Sequence, residues 1–254
     1  MALVAGAIVP HAPVFALNQP PGRLRTASEM IRAAAGALKL DDCDALVIAS
    51  PHGRATGVYS GVSGSLDAFG VRNRSVGPPT DAGVAEELAN QWGRPLLEPP
   101  VDHGIVGALL LSERSAVPPV VTAAFATVTG PDAPAQFEAT VEDAGGFAGA
   151  MSRVSAGRRI GFVASAHTAA ALNPAAPLLD RPEGHELEER VLAALRQDSA
   201  ALAGIEPELW RAAGACGAGP LTAFGRLFAG RRAEVLEYEA PAGVGYLVAH
   251  VVEL

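Results

Sequence analysis

Residues 44–53 read DALVIASPHG. The segment Asp44 to Ala49 is apolar on successive positions, without the alternation of a half-exposed strand. That is the pattern of a parallel strand covered on both faces. Pro51 halts the run, and Gly53 lets the chain turn sharply or approach a ligand just past His52. The chain opens on the same construction. Ala2 to Val9 is a short β-rich run that Pro10 stops, and His11 then stands between Pro10 and Pro13 in IVPHAPVF. Two strands that each deliver a histidine at their exit frame both the fold and the function.

Working outward from these runs, strands and helices alternate. Leu24 to Leu40 carries Ile31, Ala34, Ala35 and Leu38 at helical spacing. Val58 to Val62 reads as a third strand, and the Gly/Pro-rich stretch through Pro79 as irregular loop. Asp81 opens a helix to Trp92, and Val101 to Leu111 enters another with His103 at its mouth. Further strands are expected over Pro119 to Phe125 and Arg159 to Ser165, and helices over Ala135 to Ala156, Gly184 to Ala203, Pro207 to Ala213 and Leu221 to Phe228. Glu234 to Tyr238 and Tyr246 to Val251 close the chain as an antiparallel pair. This alternation predicts one α/β domain over residues 1–254, a sandwich with a mostly parallel or mixed central sheet flanked by helices. Ligands of such sheets sit beyond the carboxyl ends of the strands, which gives His11, His52 and His167 a shared address.

Composition narrows the class. The 254 residues are 49% hydrophobic and 18% charged, as for an ordered globular protein. The net charge of −8 and the absence of any Lys/Arg run longer than Arg158-Arg159 or Arg231-Arg232 argue against nucleic acid as partner. No basic region precedes the first apolar run and no stretch reaches about 18 uninterrupted apolar residues, so neither a secretory signal nor a membrane span is expected. Two cysteines, Cys43 and Cys216, make no disulfide framework and fit a cytoplasmic setting. A homodimer is the default expectation for a soluble chain.

Neutral imidazole binds first-row metals, and a proline-stiffened loop limits the entropy lost in ordering the ligand. Each histidine alone has a blander role as a turn or helix cap. The matched exits at His11 and His52 favour a metal clamp. His103, in VDHGIVGALLL, follows Asp102, a residue type that caps helices. His167, in VASAHTAAALNP, is flanked by small residues and suits acid/base work near neutral pH. His185, in GHELEER, is expected to face solvent, and His250, in the terminal strand, to be a packed or edge residue.

Taken together, VPHAP, SPHG, DHG and a later histidine among small residues resemble the class III (LigB-type) extradiol ring-cleavage dioxygenases, in order and spacing over nearly the whole chain. The resemblance implies that His11 and His52 ligate Fe(II), that His167 is the acid/base, and that His103 lines the site. It implies a small aromatic diol and O2 as substrates. The family's third ligand is a glutamate in a late A-G-x-E-G segment, where this chain reads AGACGAGPL. Cys216 stands at the carboxylate position, and CGAGPL resembles the CGxxPI segment of the Memo proteins, in which a cysteine joins two histidines at a metal site. The third ligand is therefore Cys216 or, one short helix upstream, Glu206 or Glu208. A thiolate would also admit Zn(II) or copper. Cys216 as a small buried residue without a ligand role is the plainer alternative.

Overall fold

The computed structural model describes residues 3–38, 40, 42–111, 118–127 and 133–251. Ala2 and Lys39, at the start of the expected first strand and near the end of the expected first helix, lie outside them. In chain order the elements are β1 (Leu3–Val9), α1 (Gly22–Gly36), β2 (Ala45–Gly53), β3 (Gly57–Tyr59), β4 (Gly64–Ser65), β5 (Ser75–Val76), α2 (Ala82–Trp92), β6 (Leu96–Leu97), α3 (His103–Leu111), β7 (Val120–Ala126), α4 (Ala133–Val154), β8 (Ile160–Ser165), α5 (Pro182–Gln197), α6 (Pro207–Ala212), α7 (Ala218–Leu227), β9 (Ala233–Glu239) and β10 (Tyr246–Val251). Eight strands form one mixed sheet in the order β6-β3-β7-β2-β8-β1-β10-β9, and β4 pairs with β5 in a small separate hairpin. The four middle strands, β7-β2-β8-β1, are mutually parallel. Antiparallel β3 borders them on one side and antiparallel β10 on the other.

The strands are apolar on both faces because helices cover both. On β2, Val47 and Ala49 belong to one core while Leu46 and Ile48 belong to the other, and on β8 Phe162 and Ala164 oppose Val163. The period of two divides each strand between the layers. The first core packs Leu88 and Trp92 of α2, Phe147 and Met151 of α4, Leu187 and Val191 of α5, Trp210 of α6 and Phe224 of α7. The second packs Ile31 and Ala35 of α1 with Ile105, Val106 and Leu109 of α3.

The expected α/β sandwich with a mixed sheet is the architecture observed. Several local expectations need correction: α1 ends at Gly36 and not at Leu40, and β3 ends at Tyr59 and not at Val62. The expected long helix over residues 184–203 ends at Gln197, where Asp198 turns extended, caps the following 3-10 turn through the Ala200 N–H and accepts a second bond from the Gly230 N–H. A short acidic side chain competing for backbone donors breaks the helix there. The last helix begins at Ala218 instead of Leu221, directly after Cys216 and Gly217.

What positions the site is the adjacency of β2, β8 and β1 together with the close approach of α3. At Gly107 a Cβ would lie 2.5 Å from the His11 carbonyl oxygen and 3.0 Å from its Cα. At Gly104 it would collide with the Ser50 hydroxyl. These two glycines let the helix backbone rest against the exits of both histidine-bearing strands. Gly107→Ala is therefore expected to overpack this contact and cost about 1–3 kcal/mol, read from the midpoint of urea unfolding. A midpoint equal to the parent's would contradict the close approach.

Candidate metal centre

His11 follows β1 by two residues, His52 lies near the end of β2, and His167 follows β8 by two residues. Because these three strands are neighbours in the sheet, their carboxyl ends bring the three imidazoles together. His103 is the first residue of α3, and Cys216 sits at the approach to α7. The ligand atoms of His11, His52 and His103 form one compact group, and those of His11, His167 and Cys216 form a second, each within 4.8 Å. His11 is common to both.

The tautomer of His11 follows from its surroundings. Its Nδ1 lies 2.9 Å from the Ser165 Oγ, and that hydroxyl donates its single proton to the Gly104 carbonyl at 2.7 Å. Ser165 can then only accept from His11, so the ring proton is on Nδ1 and the Nε2 lone pair faces the cluster. His52 Nε2 lies 2.9 Å from that Nε2, and Cys216 Sγ lies 3.7 Å from it. Two cis ligands with bonds near 2.1 Å, at right angles, would be about 3.0 Å apart. The pair already has the separation that one shared ion requires. In its absence the same contact is an N–H···N bond donated by His52.

The remaining rings complete the surroundings. His52 and His103 stack at 4.2 Å between centroids, and His167 stacks on His11 at 3.9 Å. The His11 backbone N–H donates to His167 Nε2 over a long 3.3 Å. Phe69, half exposed, lies 4.6 Å from the His103 ring at the outer side. Asp102 caps α3, accepting from the Gly104 and Ile105 N–H groups, and Ser50 donates to it at 2.5 Å. The helix start is thereby tied to the exit of β2, two residues before His52.

Burial dominates the electrostatics. It holds His11 well below the ordinary imidazole value and takes His52 and His167 down to about 3, with neighbouring histidines adding to the depression. His103 is lowered too, against the pull of Asp102. Burial pushes the Cys216 thiol up to about 11. At neutral pH the cluster is four neutral imidazoles and a thiol, with no positive charge to repel a cation.

The alternative carboxylate ligands are not at this centre. Glu206 and Glu208 are exposed and paired with Arg190 and Arg211 respectively, and among the described residues no carboxylate joins either group. Their place one helix upstream in sequence hid the fact that both side chains, at the start of α6, face outward. His185 pairs with Asp180 at the surface, and His250 pairs with Glu234 along the sheet; neither joins the cluster. Sequence reasoning missed Ser165, whose role needs two distances to be seen, and Glu188, which is hidden in the charged string GHELEER. That carboxyl is buried and pushed up to about 7.

No family model matches the chain, and no curated protein matches it by sequence. Among solved structures, the chain is similar to the crystal structure of an uncharacterized protein, JW3007, from Escherichia coli K12, at a TM-score of 0.61 and 17% identity, covering 98% of this chain and 99% of that one. At that identity the likeness establishes a shared fold along the whole described length.

Two predictions follow the geometry. Ser165→Ala frees the His11 tautomer and is expected to weaken Zn(II) binding about 10–100-fold, measured by competition with a chromophoric chelator; parental affinity would contradict the tautomer lock. The second concerns pH in metal-free protein. His52 and His167 titrate at about 3 when folded and at 6.5 when free. Within that window the unfolded chain binds more protons, so acidification destabilises. Glu188 opposes this, since between 4.5 and about 7 it holds its proton only in the folded chain. With His11 and His103 also lowered, the histidines prevail. The urea midpoint should fall from pH 6.5 to pH 5, and a flat or rising profile would contradict the depressed values.

Proposed function

We propose that the protein is a metal-dependent oxygenase of the extradiol type, holding one Fe(II) ion between His11 and His52 and opening a small aromatic diol with O2. The observation that carries the proposal is the 2.9 Å approach of the two Nε2 atoms, one of them with its lone pair directed inward by Ser165. Neutral nitrogen donors with a nearby thiol suit Fe(II), and they admit Zn(II) or copper as competitors. A bound Fe(II) would supply neighbouring positions for the diol oxygens and for O2.

The chain's own residues account for the rest. His11 and His52 bind and orient. His103 and the Phe69 ring offer aromatic faces against which a flat substrate can align. His167, neutral at working pH, presents Nε2 as a proton acceptor, because its bond from the His11 amide is long and easily exchanged for a diol hydroxyl. A reduced thiol in the donor set fits a cytoplasmic setting.

Cys216 supports a second reading. With Sγ 3.7 Å from His11 Nε2 and no carboxylate in the group, the centre also suits a Memo-like His/His/Cys protein that binds metal for a redox or binding role without ring cleavage. Anaerobic loading with Fe(II), followed by O2 and a panel of catechols, separates the two. The oxygenase reading expects diol-dependent O2 uptake with a coloured ring-opened product, both lost in His52→Ala. Stoichiometric Fe(II) binding without O2 uptake for any diol would overturn it in favour of the second.

A further inference from the structure

The apolar face of α5 carries one acid. Gly184, Leu187, Glu188, Val191, Ala194 and Leu195 form the buried stripe, and Glu188 is 5% exposed. A carboxyl in such a stripe is costly unless its partners justify it. Its partners lie beside the metal centre. The Thr168 hydroxyl, fully buried and next to His167, donates to Glu188 Oε1. The Ala169 backbone N–H and the Tyr238 hydroxyl lie near the same carboxyl and favour its charged form against burial, while Oε2 is buried without a hydrogen-bond partner. Packing is tight where the two side chains meet: a Cβ on Gly245 would collide with both the Thr168 Oγ1 and the Glu188 Oε1.

This bonding extends to the cluster through the backbone. Thr168 N–H donates to the Gly245 carbonyl at 3.2 Å, and Gly245 N–H returns a bond to Ala169 at 2.9 Å. The His167 carbonyl accepts from the Gly217 N–H at 3.2 Å, which ties the residue after Cys216 to the same turn. His52 and His103 are reached by none of these bonds. They are positioned by Ser50, Asp102 and α3 instead.

We propose that Glu188 is a positioning residue of the centre: through the Thr168 hydroxyl it fixes the turn that carries His167, and through the His167 carbonyl it fixes Cys216, so that both stand against His11. The proposal rests on reading the cluster as a metal centre. It gives the two donor groups separate supports, with Glu188 holding the His167–Cys216 side alone. Oε1 can accept from Thr168 whether or not the carboxyl carries its proton, and a glutamine oxygen can do the same. Burial, which raises this carboxyl to about 7, therefore leaves the bond in place at working pH.

The test uses the full chain in two forms. In metal-free protein, hydrogen exchange is read at Thr168, Gly217 and Gly245, with Val47 and Ile48 of β2 as internal reference. Glu188→Ala and Thr168→Val should speed exchange at the three sites by at least about tenfold relative to β2, as local opening of that turn. In Co(II)-loaded protein, both variants should lose the Cys216 thiolate-to-metal absorption while still binding Co(II) through the histidines. Glu188→Gln should retain both signatures. Leu187→Ala, which thins the same helix face, should lower stability and retain both as well. Should Glu188→Ala fail to fold, Thr168→Val carries the test, since it removes one hydroxyl without emptying the core. The proposal is overturned if exchange at the three sites follows β2 in Glu188→Ala and Thr168→Val, if the thiolate band survives in them, or if Leu187→Ala loses it too. Wild-type protein that binds no Co(II) would refute the metal-centre reading, and the exchange pattern would then decide the inference by itself.

Discussion

The geometry of this protein's cluster hangs on a single hydroxyl. Ser165, the last residue of β8, accepts from His11 and donates to the Gly104 carbonyl. One side chain thus joins three elements: the exit of β1, the end of β8 and the first turn of α3. Because a serine hydroxyl has only one proton to give, its two bonds also decide where the proton of His11 resides. A neutral buried imidazole with a known tautomer is a prepared ligand, and it meets an ion without charge to shed or a ring to turn. The remaining features of the site, including the stacked rings and the nearby thiol, are arranged around that fixed Nε2.

The sheet makes such an arrangement affordable in entropy. Parallel strands β2, β8 and β1 end side by side, so their loops reach one crevice over short spans of chain. Small residues then let neighbouring backbones close on it. Gly104 and Gly107 seat α3 against the histidine exits, and Gly245 admits the bonded pair of Thr168 and Glu188. Ser50 bonds Asp102, Ser165 bonds His11 and the Gly104 carbonyl, and Thr168 bonds Glu188, each inside the packed frame. The donors are therefore aimed by a rigid frame and not by mobile loops.

Much of this was legible in the sequence, and what was not has physical causes. A doubly apolar strand such as DALVIA announces a covered parallel sheet, and two prolines beside His11 announce a strand exit, so the fold class and the meeting of the strand-end histidines could be anticipated. The same reading could not rank Cys216 against Glu206 and Glu208, because proximity in sequence says nothing of which way those side chains face; Arg190 of α5 and Arg211 of α6 take the two carboxylates at the surface. Asp198 looked like one more helical residue until its side chain was seen bonding the next turn. Glu188 was invisible for the opposite reason. In GHELEER it resembles its solvated neighbours, and only the phase of the helix, set by Leu187 and Val191, turns it inward.

The central claim is that His11 and His52 hold one ion between their Nε2 atoms. Crystals of the protein grown with Zn(II), which O2 cannot oxidise, test it through anomalous scattering at the zinc edge. The account predicts one strong peak about 2.0–2.1 Å from both Nε2 atoms, absent when His11 is replaced by alanine. A peak at any other place in the molecule, or one that persists in His11→Ala, would contradict it.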